Sequence, residues 1–167
     1  MNYLIVDDNT LARMSLKELV SQTNLLEYAG ECSNGTEAYQ FITSRQVDLV
    51  FLDIEMPGIT GIELMKSLPV KPIIIFTSAK KNYAVDVFDL NVADYIIKPV
   101  TPARLLEAIT KAGKIFENRN ATISKVEKEF IFLKDKKALK KINFSDILWI
   151  EAMGDYIKIH TVEKWYM

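Results

Sequence analysis

Short apolar runs alternate with amphipathic stretches along the first two thirds of the chain, the pattern of strand–helix–strand units that build a parallel sheet. Five strands are predicted, at residues 3–6, 27–32, 49–52, 72–76 and 95–97. The run at 49–52 is apolar enough for a strand buried on both faces. Helices are predicted over 10–22, from Asn34-Gly35-Thr36 to Arg45, and over 59–68, 83–89 and 102–116. Asn9 or Thr10 caps the first, whose inward face is read from Leu11, Met14, Leu19 and Val20. Pro69 ends the third, and Pro102 suits the first turn of the fifth.

The pattern then changes. Residues 117–128 (ENRNATISKVEK) are polar without a strong apolar period and read as a linker or a continuation of the last helix. Beyond them, strand-like runs at 130–133, 147–150, 156–160 and 165–167 are separated by turns at Asp135-Lys136 and Gly154-Asp155. They predict an antiparallel meander of about four strands. The expected organisation is therefore a domain at 1–118, a linker at 119–128 and a β-rich segment at 129–167. A lone meander exposes strand edges and an apolar face, so this segment is expected either to pack against another chain, with strand exchange one route, or to be poorly ordered.

Charge supports the division. The 167 residues carry 21 Lys+Arg against 22 Asp+Glu, which excludes a uniformly basic nucleic-acid coat. Residues 1–118 hold 11 basic and 15 acidic side chains, net −4, while 119–167 hold 10 and 7, net +3. Cys32 is the only cysteine, so an intrachain disulfide and a cysteine-built metal site are excluded, and Cys32 reads as a small buried hydrophobe. The opening MNYLIVDDN has no secretory pattern, and no apolar run approaches the roughly 18 residues of a membrane span. A cytoplasmic chain with no membrane contact is expected.

The chemistry-bearing residues share one topological address. Asp7 and Asp8 follow the first predicted strand, Asp53 the third, Thr77 the fourth and Lys98 the fifth. The carboxyl ends of parallel strands line the crevice where ligands bind in open α/β sheets. Clustered carboxylates repel, so a hard divalent cation, Mg²⁺, is expected, with Asp8 and Asp53 as carboxylate ligands, the backbone carbonyl of Glu55 as a third, and Asp7 acting through bound water. Asp53, ionised at neutral pH, can attack a phosphoryl group without a general base to form an aspartyl phosphate. Lys98 would spread the charge of the transferring group, and the Thr77 hydroxyl would donate to a phosphoryl oxygen. Singly, each acid could merely cap a helix; it is the convergence that points to chemistry.

The motifs YLIVDDN, VFLDIEMPGITGIEL, IIFTSA and ADYIIKPV resemble the acid pair, phosphoacceptor, switch hydroxyl and lysine motifs of the response-regulator receiver domain over about residues 1–118. The resemblance implies a flavodoxin-like, doubly wound five-stranded parallel sheet, phosphorylation of Asp53 by a sensor histidine kinase, and a cis bond at Lys98-Pro99. It also makes Tyr95 an aromatic switch partner of Thr77. Phosphorylation would then re-shape the face of the fourth helix, fifth strand and fifth helix, through which a homodimer is expected. Such a protein is a phosphoacceptor and not an enzyme, with self-phosphotransfer and slow autodephosphorylation at most.

Residues 129–167, from FIFLKDKKALKKINFSDILWIEAMGDYIKIHT onward, resemble the opening of an all-β LytTR DNA-binding domain. The resemblance implies transcription control through promoter DNA, contacts near Gly154, Asp155 and Tyr156, and a chain that is part of a longer regulator. The lysine run at 134–141 either touches phosphates or guards a hairpin edge against aggregation. His160, the single histidine, reads as structural because no second ligand type clusters nearby. Two rival functions stay open. One is a receiver-only interaction module whose tail stabilises a dimer. The other is an aspartyl-nucleophile phosphohydrolase of the haloacid-dehalogenase kind, which expects an aspartate where Glu55 stands.

Overall fold

A computed structural model describes residues 1–80, 83, 90–126, 130–135, 138–153, 156–162 and 164–166. The fourth predicted helix, at 83–89, and the turn residues Gly154 and Asp155 lie outside the described residues, save Tyr83. The chain divides into two units, Met1–Asn118 and Arg119–Met167.

The first unit runs β1 (Asn2–Val6), α1 (Thr10–Ser21), β2 (Glu27–Cys32), α2 (Gly35–Ser44), β3 (Leu49–Asp53), α3 (Gly61–Ser67), β4 (Ile73–Ser78), β5 (Asp94–Ile97) and the start of α4 (Pro102–Val126). All strand pairs are parallel, in the order β2-β1-β3-β4-β5. That is the flavodoxin-like order, with its switch point between β1 and β3.

Alternate side chains of the central strands fill two cores, one on each face of the sheet. Leu4, Val6, Val50, Leu52, Ile74 and Phe76 meet Ala38 of α2 and Leu64 and Met65 of α3. Tyr3, Ile5, Phe51 and Ile75 meet Leu16 and Val20 of α1 and Leu105 and Ile109 of α4. Leu4, Ile5, Leu49 and Leu52 are completely buried, each contributing about 1.5–3 kcal/mol.

Polar side chains set the helix starts. The Asn9 side-chain oxygen Oδ1 accepts the Ala12 N–H, the Asn34 Oδ1 accepts that of Glu37, and Thr60 with Glu63 forms a reciprocal capping box. Thr60 therefore starts α3 two residues later than the apolar run suggests, and Leu68, extended before Pro69, ends it. At the other edge, Arg104 donates to both oxygens of Asp94 at 2.7 Å and to the Tyr95 carbonyl at 2.8 Å, tying the start of α4 to β5. Burial raises the Asp94 carboxyl, but the hydrogen bonds from Arg104 and Lys111 outweigh it and hold it below the ordinary value.

One inward face is corrected. Leu11 and Met14 are 76% and 60% exposed, and the buried stripe of α1 is Leu16 and Val20. Four-residue spacing puts Leu16 and Val20 one above the other, whereas Leu11 falls well off their line. The fifth predicted helix extends ten residues past Phe116, to Val126, across the segment read as linker or continued helix.

Beyond the end of α4, all strand pairs among the described residues of the second unit are antiparallel. β6 (Phe130–Asp135) pairs with β7 (Ala138–Asn143), a 3₁₀ turn covers Phe144–Asp146, and β8 (Ile147–Met153), β9 (Tyr156–Thr161) and β10 (Trp165–Tyr166) form a second sheet. Among the described residues, the single meander of four strands is thus corrected to five strands in two sheets. β7 was missed because two adjacent lysines, Lys140 and Lys141, break the alternation, and its pairing with β6 decides its conformation. Among the described residues no helix is long and apolar enough to cross a membrane.

Candidate functional site

The ends of β1, β3, β4 and β5 bring the predicted residues together. β1 leads directly into Asp7, whose N–H donates to the Cys32 carbonyl of β2 at 3.2 Å, so the acid stays in line with the sheet. Asp7 is buried. One of its carboxylate oxygens accepts the Asn9 N–H at 2.9 Å and the other the Lys98 ammonium at 2.7 Å. Asp53, also buried, ends β3 opposite Thr77 of β4, and its carboxylate lies 3.2 Å from the Lys98 Nζ. Asp8 is exposed at the mouth, and carboxylate oxygens of Asp7, Asp8 and Asp53 lie within 4.8 Å of one another.

Lys98 reaches this point because its own N–H continues the sheet, donating to the Ser78 carbonyl at 2.8 Å, and because the Lys98-Pro99 bond is cis. Thr77 is buried at the pocket floor, and its carbonyl accepts the Ile54 N–H at 3.2 Å, closing the β3 end against β4.

The loop after Asp53 is shaped by glycines. Gly58 has φ +81°, a left-handed conformation that suits glycine. At Gly61 a Cβ would stand 2.2 Å from the Asp53 carbonyl oxygen, so any larger residue would push the acid out of place. The Gly61 N–H donates to the Ile54 carbonyl at 3.0 Å, holding that approach.

Electrostatics follows from burial. Loss of hydration pushes the Asp53 carboxyl up to about 6; Lys98 draws it down, and Asp7 and Asp8 push it further up. Burial works against the Lys98 ammonium, but the hydrogen bond to Asp7 and the charges of Asp53 and Asp7 outweigh it, and the pKa rises. Lys98 is thus a fixed cation between two acids. Three carboxylates against one ammonium leave surplus negative charge in an all-oxygen donor set, which fits a hard divalent cation better than a soft metal.

A cavity of about 210 Å³ opens beside Asp7, Thr77 and Lys98, walled by Ala12 and Leu16 of α1. A second, of about 430 Å³, lies at the Asp8 and Glu55 side with Met56 and Tyr83. The Glu55 side chain turns to Lys80, 2.5 Å away. Tyr95 is not beside Thr77 in register, since Thr77 pairs with Ile96 and Tyr95 with Phe76; its ring packs on the core and its hydroxyl donates to the Lys80 carbonyl. Of the expected DNA contacts, Gly154 and Asp155 fall outside the described residues, and Tyr156 opens β9.

Two supporting residues had no sequence signal. Arg13 donates to the Asp7 carbonyl at 2.8 Å and pairs with Glu31, bracing the loop that carries the acid pair. Ser78, completely buried, accepts the Lys80 N–H at 3.1 Å. An arginine in an amphipathic helix and a serine ending a strand look ordinary until the fold brings their partners to them.

Residues 3–110 match the family described as the response regulator receiver domain. Protein MrkE of Klebsiella pneumoniae is 30% identical over an alignment of 170 positions that covers 96% of this chain and 63% of that protein. The transcriptional regulatory protein BtsR of Escherichia coli K12 is 37% identical over 110 residues, 65% of this chain and 46% of that protein. The crystal structure of the response regulatory domain of MrkE superposes with a TM-score of 0.65 at 32% identity, covering 71% of this chain and 99% of that one. The chain spans about half the length of most of the curated relatives it matches.

Proposed function

The chain belongs to the response regulator receiver domain family, and from that membership we propose that it accepts a phosphoryl group on Asp53 from a sensor histidine kinase. The observation that carries this assignment is Lys98, whose ammonium lies 2.7 Å from Asp7 and 3.2 Å from Asp53 where three strands end. An Asp53 carboxylate oxygen attacks phosphorus as the bond to the donor's leaving group breaks, and the leaving group departs with its electron pair. Lys98 faces the charge on the transferring oxygens, and the Thr77 hydroxyl donates to one of them.

Asp8 and Asp53 would hold Mg²⁺ by carboxylate, the Glu55 backbone carbonyl would add an oxygen, and Asp7 would act through bound water. When bound, the ion neutralises charge shared by carboxylate and phosphoryl oxygens. The protein is then a phosphoacceptor, not an enzyme with a separate substrate.

The output is read from the second unit. Its antiparallel architecture and net charge of +3 support the LytTR resemblance and so transcription control through promoter DNA. A homodimer through β5, α4 and the segment between β4 and β5, with Thr77 and Tyr95 as the switch, would pair two such units and raise their effective concentration on paired half-sites.

The test is intact mass after incubation with acetyl phosphate and Mg²⁺. One phosphoryl group per chain is expected in the wild type and none in Asp53→Ala; a gain that persists in the variant would overturn the assignment.

A further inference from the structure

Three elements meet at Lys80. Its N–H donates to the Ser78 hydroxyl at 3.1 Å, its carbonyl accepts the Tyr95 hydroxyl, and its ammonium lies 2.5 Å from the Glu55 carboxylate. The Tyr83 hydroxyl, 3.5 Å away, reaches the same carboxylate oxygen. Ser78 is in turn fixed to the pocket floor, because its carbonyl takes the Lys98 N–H at 2.8 Å. One lysine therefore connects the loop after the phosphoacceptor, the end of β4 and the ring of Tyr95.

Resting on the reading of Tyr95 as the switch residue, we propose that Lys80 is a positioning residue that ties Tyr95 to the mouth of the acid pocket through Glu55, by a link that does not pass through Thr77. A carbonyl in a loop is a poor anchor for a hydroxyl unless the loop itself is held. Here the side chain of the same residue does the holding, from a carboxylate two positions beyond Asp53. The Lys80 side chain is 60% exposed, so the tie is weak enough to break in response to charge arriving at the pocket. Glu55, expected to offer its backbone carbonyl to the metal and its side chain to the pocket mouth, gains a further role for its carboxylate.

Nitration by tetranitromethane in the unphosphorylated full chain tests this, with fragment ions separating Tyr95 from Tyr83 and the half-exposed Tyr39 of α2 as the internal reference. Lys80→Ala is expected to raise the ratio of Tyr95 to Tyr39 nitration about two- to fivefold, the range open to one exposed ion pair. Glu55→Gln should act in the same direction, the double variant should add nothing beyond the larger single effect, and Lys80→Arg should restore the wild-type ratio. An unchanged ratio in Lys80→Ala, independent and additive effects of the two substitutions, or failure of arginine to rescue would each overturn the proposal. Because no phosphoryl group is used, these outcomes are separate from the acetyl phosphate result, which alone decides whether Asp53 is the acceptor.

Discussion

Asp53 destabilises the fold that needs it. Its carboxyl titrates at about 6 in the folded chain against an ordinary 3.8, because burial and two neighbouring acids outweigh Lys98. An acid whose pKa is raised on folding holds its proton more tightly in the folded state. Stability therefore falls as pH climbs from about 3.8 towards about 6, and the full deficit is present above that. A shift of this size corresponds to about 3 kcal/mol at neutral pH.

Asp53→Asn removes the charge but also one of the two carboxylates that hold Lys98, so a net gain of about 2 kcal/mol is expected without metal. With a urea slope of about 2 kcal/mol/M, the unfolding midpoint should rise by about 1 M. Far-ultraviolet circular dichroism in EDTA is the assay. The helices before residue 119 report the receiver unit, while both tryptophans, Trp149 and Trp165, lie in the other. The gain should be full at about pH 7.5 and vanish at about pH 4. Mg²⁺ at a hundred times its Kd should stabilise the wild type by about 2.7 kcal/mol and the variant by much less. A variant no more stable than wild type near neutrality, or a margin independent of pH, would refute the reasoning.

Lys98→Met leaves Asp7 and Asp53 facing each other without their cation, and labelling by acetyl phosphate should slow at least about 100-fold by intact mass. Gly61→Ala forces a Cβ against the Asp53 carbonyl; urea unfolding should show a loss of about 2 kcal/mol or more, with slower labelling. Arg104→Ala strips the half-buried Asp94 carboxylate of its bidentate partner while Lys111, 3.0 Å away, remains, and should cost about 2 kcal/mol in the same assay. Since Asp94 is held below its ordinary value, the stability it contributes is present near neutrality and lost as pH falls through its folded pKa, so the gap between wild type and Arg104→Ala should narrow in acid.

Of the five parallel strands, β1, β3 and β4 were legible because they bury both faces and so read as unbroken apolar runs. The acids were legible for a related reason, since a polar residue ending such a run has one place to go in a doubly wound sheet, and Lys98 ends the half-buried β5 at the same edge. What could not be read was anything decided by a distant partner. Leu11 and Met14 are as apolar as Leu16, and only the direction from which β1 and α4 approach α1 separates them. β7 carries a lysine pair and owes its conformation to β6. Lys80 and Arg13 act on carbonyls and carboxylates 5 to 25 positions away, contacts that leave no local trace.

The clasp of Arg104 on the Tyr95 carbonyl bears on how fast a signal can pass. With its main chain held by Arg104 and by the ladder to β4, Tyr95 can change state only by turning about its side-chain bonds. Such a turn needs no strand to slide, but the ring is packed against the core, so it does not share the picosecond-to-nanosecond exchange of an exposed rotamer. If Tyr95 is the switch residue proposed above, the delay in switching would lie in freeing its hydroxyl from the Lys80 carbonyl and its ring from the core, and not in the sheet.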